Sequence, residues 1–144
     1  MREYLFRGRV PMKSKPVWKE GYVVPLGESV NIFDDLLGKG YGVEPETVSE
    51  YIQRTDKHGK KVFEGDVIRV PLVEGEGYEY FVVEYVDDTY FFGFILREFL
   101  NMGTGTMFSQ KFFSERCEVI GNRWDMTTDD LVKLGLIKSG VRHG

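Results

Sequence analysis

The chain has 144 residues, 42% of them hydrophobic and 29% charged, with a formal net charge of -4, which is about one ordinary domain. No apolar run approaches the ~18 residues of a membrane helix, and residues 1–7 carry no apolar signal core, so neither a membrane span nor export is indicated. One cysteine, Cys117, excludes an internal disulfide framework and a multi-cysteine zinc site.

Phe 11, Tyr 8 and Gly 17, with no alanine at all, favour short strands and tight turns over helices. Residues 4–10 alternate, with Leu5, Arg7 and Arg9 on one parity, and read as a strand with one basic face. Residues 11–16 are a Pro-bounded connection, and residues 17–26 a second strand with Pro25 near its end; the two make a hairpin. Phe6, Trp18 and Tyr22 alternate as core residues do and are expected to face inward. The first 19 residues carry Arg2, Arg7, Arg9, Lys13, Lys15 and Lys19 against Glu3 alone. A solvated strand face accounts for such a cluster; contact with nucleic acid through Arg2, Arg7, Arg9 and Lys19 is the alternative.

Within residues 27–42, the run Asn31 to Leu37 fits either a helical turn or a ragged strand. Gly38, Gly40 and Gly42 follow, but Lys39 precedes Gly40 rather than Ser or Thr, and Pro45 interrupts soon after. A phosphate-cradling loop lacks its context, and a flexible loop is expected. Residues 47–54 read as a strand. Residues 56–60 are a turn with Gly59 suited to a positive φ, and Glu64-Gly65-Asp66 is a second corner. Residues 67–73, 78–86 and 90–96 read as a three-strand meander, with Pro71 marking an edge or bulge. Residues 97–108 form a loop, Phe112 and Phe113 cover the core, and residues 116–121 are a last strand. The one helix expected comes at the end: Thr127 and Asp130 have capping-box spacing, Leu131, Leu134 and Leu136 form a stripe, and Gly135 stops it. Residues 138–144 are expected to fray.

Chemistry-bearing residues do not assemble into a known constellation. The pairs Asp34/Asp35, Asp87/Asp88 and Asp129/Asp130 are adjacent in sequence, which on a strand sends the two side chains to opposite faces. His58 with Asp56 falls in a tight turn and His143 in the tail, so no metal site is assigned. Cys117 lies in an expected strand, where burial explains it without a nucleophilic role. No catalytic, cofactor-binding or metal-ligating residue is assigned, and no cofactor.

Several blocks together resemble the YopX family. They are Arg2-Glu3-Tyr4-Leu5-Phe6-Arg7-Gly8, Trp18, Gly21-Tyr22, the run Val43 to Tyr51, the run Asp56 to Ile68, and Cys117-Glu118-Val119-Ile120-Gly121-Asn122. The block at 56–68 is the most specific. Two departures stand out: Arg54-Thr55 replaces a Gly-Leu-like pair, and Arg123-Trp124-Asp125 replaces a short acidic stretch. The resemblance implies a phage or prophage protein of the bacterial cytoplasm, mainly β, with an SH3-type small barrel, an additional N-terminal β layer and a short C-terminal helix. It brings no catalytic residues. The expected division is an N-terminal β region at 1–55, the barrel at 56–126, and a helix and tail at 127–144. Gly59, Gly65 and Asp66 are structural turn residues, Gly65 with a positive φ and Asp66 bonded to local backbone. The expected function is a non-enzymatic module binding a protein partner through the 97–108 loop and the basic strand, without a membrane and with self-association open. Nucleic-acid binding through the N-terminal cations is the alternative, and a small hydrolase using Glu64, Asp66 and another carboxylate a second.

Overall fold

The computed structural model describes residues 4–11, 15–33, 38–87, 92–97 and 109–137. The chain is mainly β and divides into two compact units, Met1–Gln53 and Arg54–Gly144.

In the first unit, β1 (Phe6–Val10) pairs antiparallel with β2 (Val17–Leu26), starting at Val10 opposite Val17. The hairpin forms as its alternation predicts. β2 then changes partner: its first half lies on β1, and Tyr22 to Leu26 lies on β3 (Ser29–Phe33). Gly21 sits at the changeover, where a Cβ would lie 2.1 Å from the Phe33 carbonyl oxygen, so only glycine lets the backbones pass. β4 (Gly40–Val43) pairs with β3, and Glu44 N–H then donates to the Arg9 carbonyl at 2.8 Å, returning the chain to β1. After a 3-10 turn at Pro45–Thr47, β5 (Ser49–Thr55) runs beside β1, Ser49 opposite Arg7. Ile32, Val43, Tyr51 and Ile52 are buried in this unit.

Two expectations are corrected here. The glycine run is a loop only at Gly38 and Lys39: Gly40 and Gly42 belong to β4, and a Cβ on Gly40 would collide with the Phe33 ring at 2.6 Å. Asn31 to Phe33 resolves as strand, while Asp34 to Leu37 lies outside the described residues. Tyr22 does not face inward; it is 53% exposed.

The second unit begins with the end of β5 and continues through β6 (Lys61–Phe63), β7 (Asp66–Pro71), β8 (Tyr78–Asp87), β9 (Phe92–Arg97), α1 (Gln110–Arg116), β10 (Glu118–Asn122) and α2 (Thr128–Lys133). The strand orders are β4-β3-β2-β1-β5-β6 and β10-β7-β8-β9. Among the described residues both sheets are open, so the ladders do not close a barrel. The meander β7-β8-β9 is as the turns predict, and β10 returns to the free side of β7. Pro71 pairs with Tyr78 on β8 where β10 has already ended, so its missing N–H breaks no ladder on that side. Val62, Phe63, Val67, Ile68, Val70, Val83, Leu96, Phe113 and Cys117 are buried.

α1 is a second correction to the expected element list, since sequence reading gave only the last helix. Ser109 caps it, its hydroxyl accepting from Phe112 N–H, and Phe113 is fully buried as a covering residue. α2 has the full capping box: Thr127 accepts from Asp130 N–H while the Asp130 carboxylate accepts from Thr127 N–H. Gly135, at φ +76, ends it. The 97–108 loop, apart from Arg97 in β9, and residues 138–144 lie outside the described residues.

Candidate functional site

The turn between β5 and β6 is built by one side chain. Asp56 is buried, and its Oδ1 accepts from His58 N–H and Lys60 N–H, both at 2.9 Å. Its Oδ2 accepts from Val119 N–H on β10, also at 2.9 Å. Lys57 N–H donates to the Cys117 carbonyl at 3.0 Å. The turn is thus fastened along the start of β10, and Gly59 takes its positive φ of +78 at the tip.

That fastening places Arg69, Lys57 and His58 around Glu118. Arg69 Nε donates to Glu118 Oε1 at 2.7 Å, Lys57 Nζ is 3.9 Å away, and His58 Nε2 is 3.5 Å from Oε2. Arg69 holds the Glu118 carboxyl below the ordinary carboxylate range, chiefly through that hydrogen bond, and Glu118 in turn raises Arg69. Register puts Arg69 opposite both Glu118 and Tyr80, so all three share one face of the sheet. Tyr78 joins them: the guanidinium lies 4.4 Å from its ring centroid. Tyr78 is 41% exposed, and the Tyr78 and Tyr80 rings are 6.3 Å apart. The opposite face carries Ile68, Val70 and Val83, all buried. Exposed Tyr78 under an oriented cation, with half-buried Tyr80 beside it, is therefore one feature of this sheet that the core does not absorb.

The other groups with chemical potential are committed to structure. Asp66 is 1% exposed and its Oδ2 accepts from Phe63 N–H at 2.8 Å. Gly65, at φ +88, carries the corner: its N–H donates to the Val83 carbonyl, and its carbonyl accepts from Arg123 N–H. The Trp124 ring lies where a Gly65 side chain would go. Cys117 is fully buried, and desolvation, then the nearby Asp56 charge, pushes its thiol up to about 12, far from a reactive thiolate.

The N-terminal cations divide. Arg7 is 7% exposed; its Nε donates to the Ser49 hydroxyl at 3.2 Å and it lies 4.7 Å from the Trp18 ring centroid. Arg9 donates to both oxygens of Glu44, the shorter bond 2.6 Å. Lys19 and Lys39 lie 4.4 and 5.6 Å from the Tyr41 ring centroid. Arg2 lies outside the described residues. Gly59 lies at the tip of the turn that carries Lys57 and His58, its N–H donating to the Asp56 carbonyl, and Gly65 and Asp66 lie at the next corner. Sequence reading missed Arg69, Tyr78, Tyr80 and Glu118. The signal available was the i, i+2 tyrosine pair beside a strand with a lone arginine.

Fold and site together define a small mainly β protein. Among the described residues it has no group of three or more His, Cys, Asp or Glu able to hold a metal, and no helix long and apolar enough to cross a membrane. The chain belongs to the YopX family: the family model described as YopX protein matches residues 17–127. A comparison with curated proteins found no match.

Proposed function

We propose that this YopX-family protein is a non-enzymatic binding module, working in the cytoplasm of a phage-carrying bacterium, and that its contact surface is the Arg69–Tyr78–Tyr80 face of the second sheet. The observation that carries this reading is an exposed tyrosine under an arginine that Glu118 already orients, on a sheet whose opposite face buries Ile68, Val70 and Val83. Exposed aromatics beside an arginine are the residue types that anchor interfaces. On this proposal residues 56–126 keep an SH3-like strand order, the meander β7-β8-β9 with β10 beside β7 and a short helix between β9 and β10, in a sheet whose ladders stay open among the described residues. Residues 97–108, which follow β9 in the sequence, are proposed as part of the surface.

Two other readings have less beneath them. Nucleic acid held by Arg2, Arg7, Arg9 and Lys19 would rely on Arg7, which is buried, and on Arg9, which is bonded to Glu44. A hydrolase using Glu64 and Asp66 would rely on an aspartate already bonded to backbone and out of solvent. The test is differential capture from lysate of an infected host, with wild-type protein and a Tyr78→Ala/Arg69→Gln variant of matched stability. Material held by the wild type and lost by the variant is the expected result. Equal capture by both removes this face from the proposal.

A further inference from the structure

We infer that the Arg69–Tyr78–Tyr80 face holds single-stranded nucleic acid, with bases against the tyrosine rings and phosphates against Arg69, Lys57 and His58. This rests on the reading of that face as the binding surface and names its ligand.

The geometry supplies both halves of such a site. Glu118 takes Arg69 by its Nε, which fixes the guanidinium plane over Tyr78 and leaves the terminal N–H groups without a partner among the described residues. Those groups are the fork that meets a phosphate. Lys57 and His58 are held beside them by the Asp56 turn, and His58 is 62% exposed. Arg69 and Lys57 face the single carboxylate of Glu118 within the cluster, while exposed Glu79 projects to the other side of β8 and Glu74 and Glu76 lie in the hairpin loop before Tyr78. Glu84 lies on the same face but further along β8, past Val82, so it does not border the cluster. Val67, opposite Val82, is fully buried, which limits the open part of the face to the Arg69 end. Tyrosine rings at alternate positions of one strand present successive stacking surfaces, and such stacking tolerates any base. A duplex hides its base faces and would leave these rings idle. An acidic peptide would use the cations and leave the rings without a stacking partner.

The test is fluorescence anisotropy of a labelled oligothymidylate of about 12 nucleotides, titrated with the full chain at low salt and then at rising salt. Binding is expected, weaker for duplex of the same length, with a log–log salt slope of about -1.4 to -2.1 if two or three phosphates are neutralised at about -0.7 each. Tyr78→Ala should weaken it roughly 5- to 100-fold, the range of one lost stacking contact. Arg69→Gln should also flatten the salt slope by about 0.7. A photo-crosslinking oligonucleotide on the unaltered protein should label a peptide containing Tyr78 and Tyr80, which avoids dependence on variant folding. No retention at low salt, unchanged affinity in Tyr78→Ala, or a crosslink to the β1–β2 hairpin each overturns the inference. Where oligonucleotide fails but protein capture still depends on Tyr78 and Arg69, the ligand assignment falls and the binding face stands. Where both fail, both fall.

Discussion

Replacing Gly65 by alanine tests the corner on which β7 begins. Gly65 has φ +88, where an L-residue is strained by ~1–3 kcal/mol. A Cβ built there would lie 2.3 Å from Trp124 Cζ3 and 2.4 Å from Cη2, closer than carbon atoms approach, so the ring must move. The ring is not free to yield without cost, because Arg123 lies over it at 4.7 Å, and Arg123 N–H is bonded to Gly65 itself. Overpacking of this kind adds another ~1–3 kcal/mol. Gly65→Ala should therefore cost about 2–5 kcal/mol, or several degrees of melting temperature at roughly 2–4 °C per kcal/mol. Urea denaturation followed by tryptophan fluorescence reads it, Trp124 being one of two tryptophans. The two parts separate in a double-mutant cycle. In a Trp124→Ala background the clash is gone and only the backbone part, ~1–3 kcal/mol, should remain. A Gly65→Ala cost below about 0.5 kcal/mol would refute the strain argument, and equal costs in the two backgrounds would refute the clash.

Asp56→Ala removes the acceptor for three backbone N–H groups and should destabilise by about 2–4 kcal/mol in urea melts, whereas Asp56→Asn, which retains an acceptor oxygen, should cost less; equal losses would mean the hydrogen bonds are not what the carboxylate provides. Cys117 should resist a thiol reagent at pH 8 in the native protein and react at the ordinary rate in denaturant; prompt native labelling would contradict its burial and raised pKa. Glu118 has a lowered pKa in the folded protein, so its contribution is complete above the unfolded carboxylate value of ~4.3 and disappears as pH falls through the lower folded value. Glu118→Gln should therefore melt with a shallower acid limb than wild type, and superimposable limbs would show that the Arg69 pair adds nothing.

Much of this architecture was legible wherever a residue has one dominant conformational use. The Asp56–Gly59 turn, the Gly65–Asp66 corner and the Thr127–Asp130 capping box all follow from what those side chains do to nearby backbone. β4 was not legible, because glycines at alternate positions leave no apolar rhythm; its reason is the Phe33 ring, which needs Gly40 empty. α1 is seven residues long with paired phenylalanines, too short for a helical period to emerge over noise. Arg7 shows the limit of reading charge as exposure. It sits on the same parity as Arg9, yet Ser49 and Trp18 enclose it while Arg9 stays half-buried against Glu44. The candidate face was hidden for a related reason: alternation told that Tyr78 and Tyr80 share a side of β8, and only the partner strand tells which side is core.

Asp56 reaches Val119 across 63 positions of chain, and this has a bearing on biosynthesis. The ladders joining β1, β2, β3 and β4 lie within Met1–Gln53, and these strands can pair as soon as that length has left the ribosome. The second cannot satisfy the carboxylate of its opening turn until the last strand emerges, at ~5–20 residues per second. A nascent chain halted before Val119 would leave Asp56 half satisfied and the turn open to quality-control proteases.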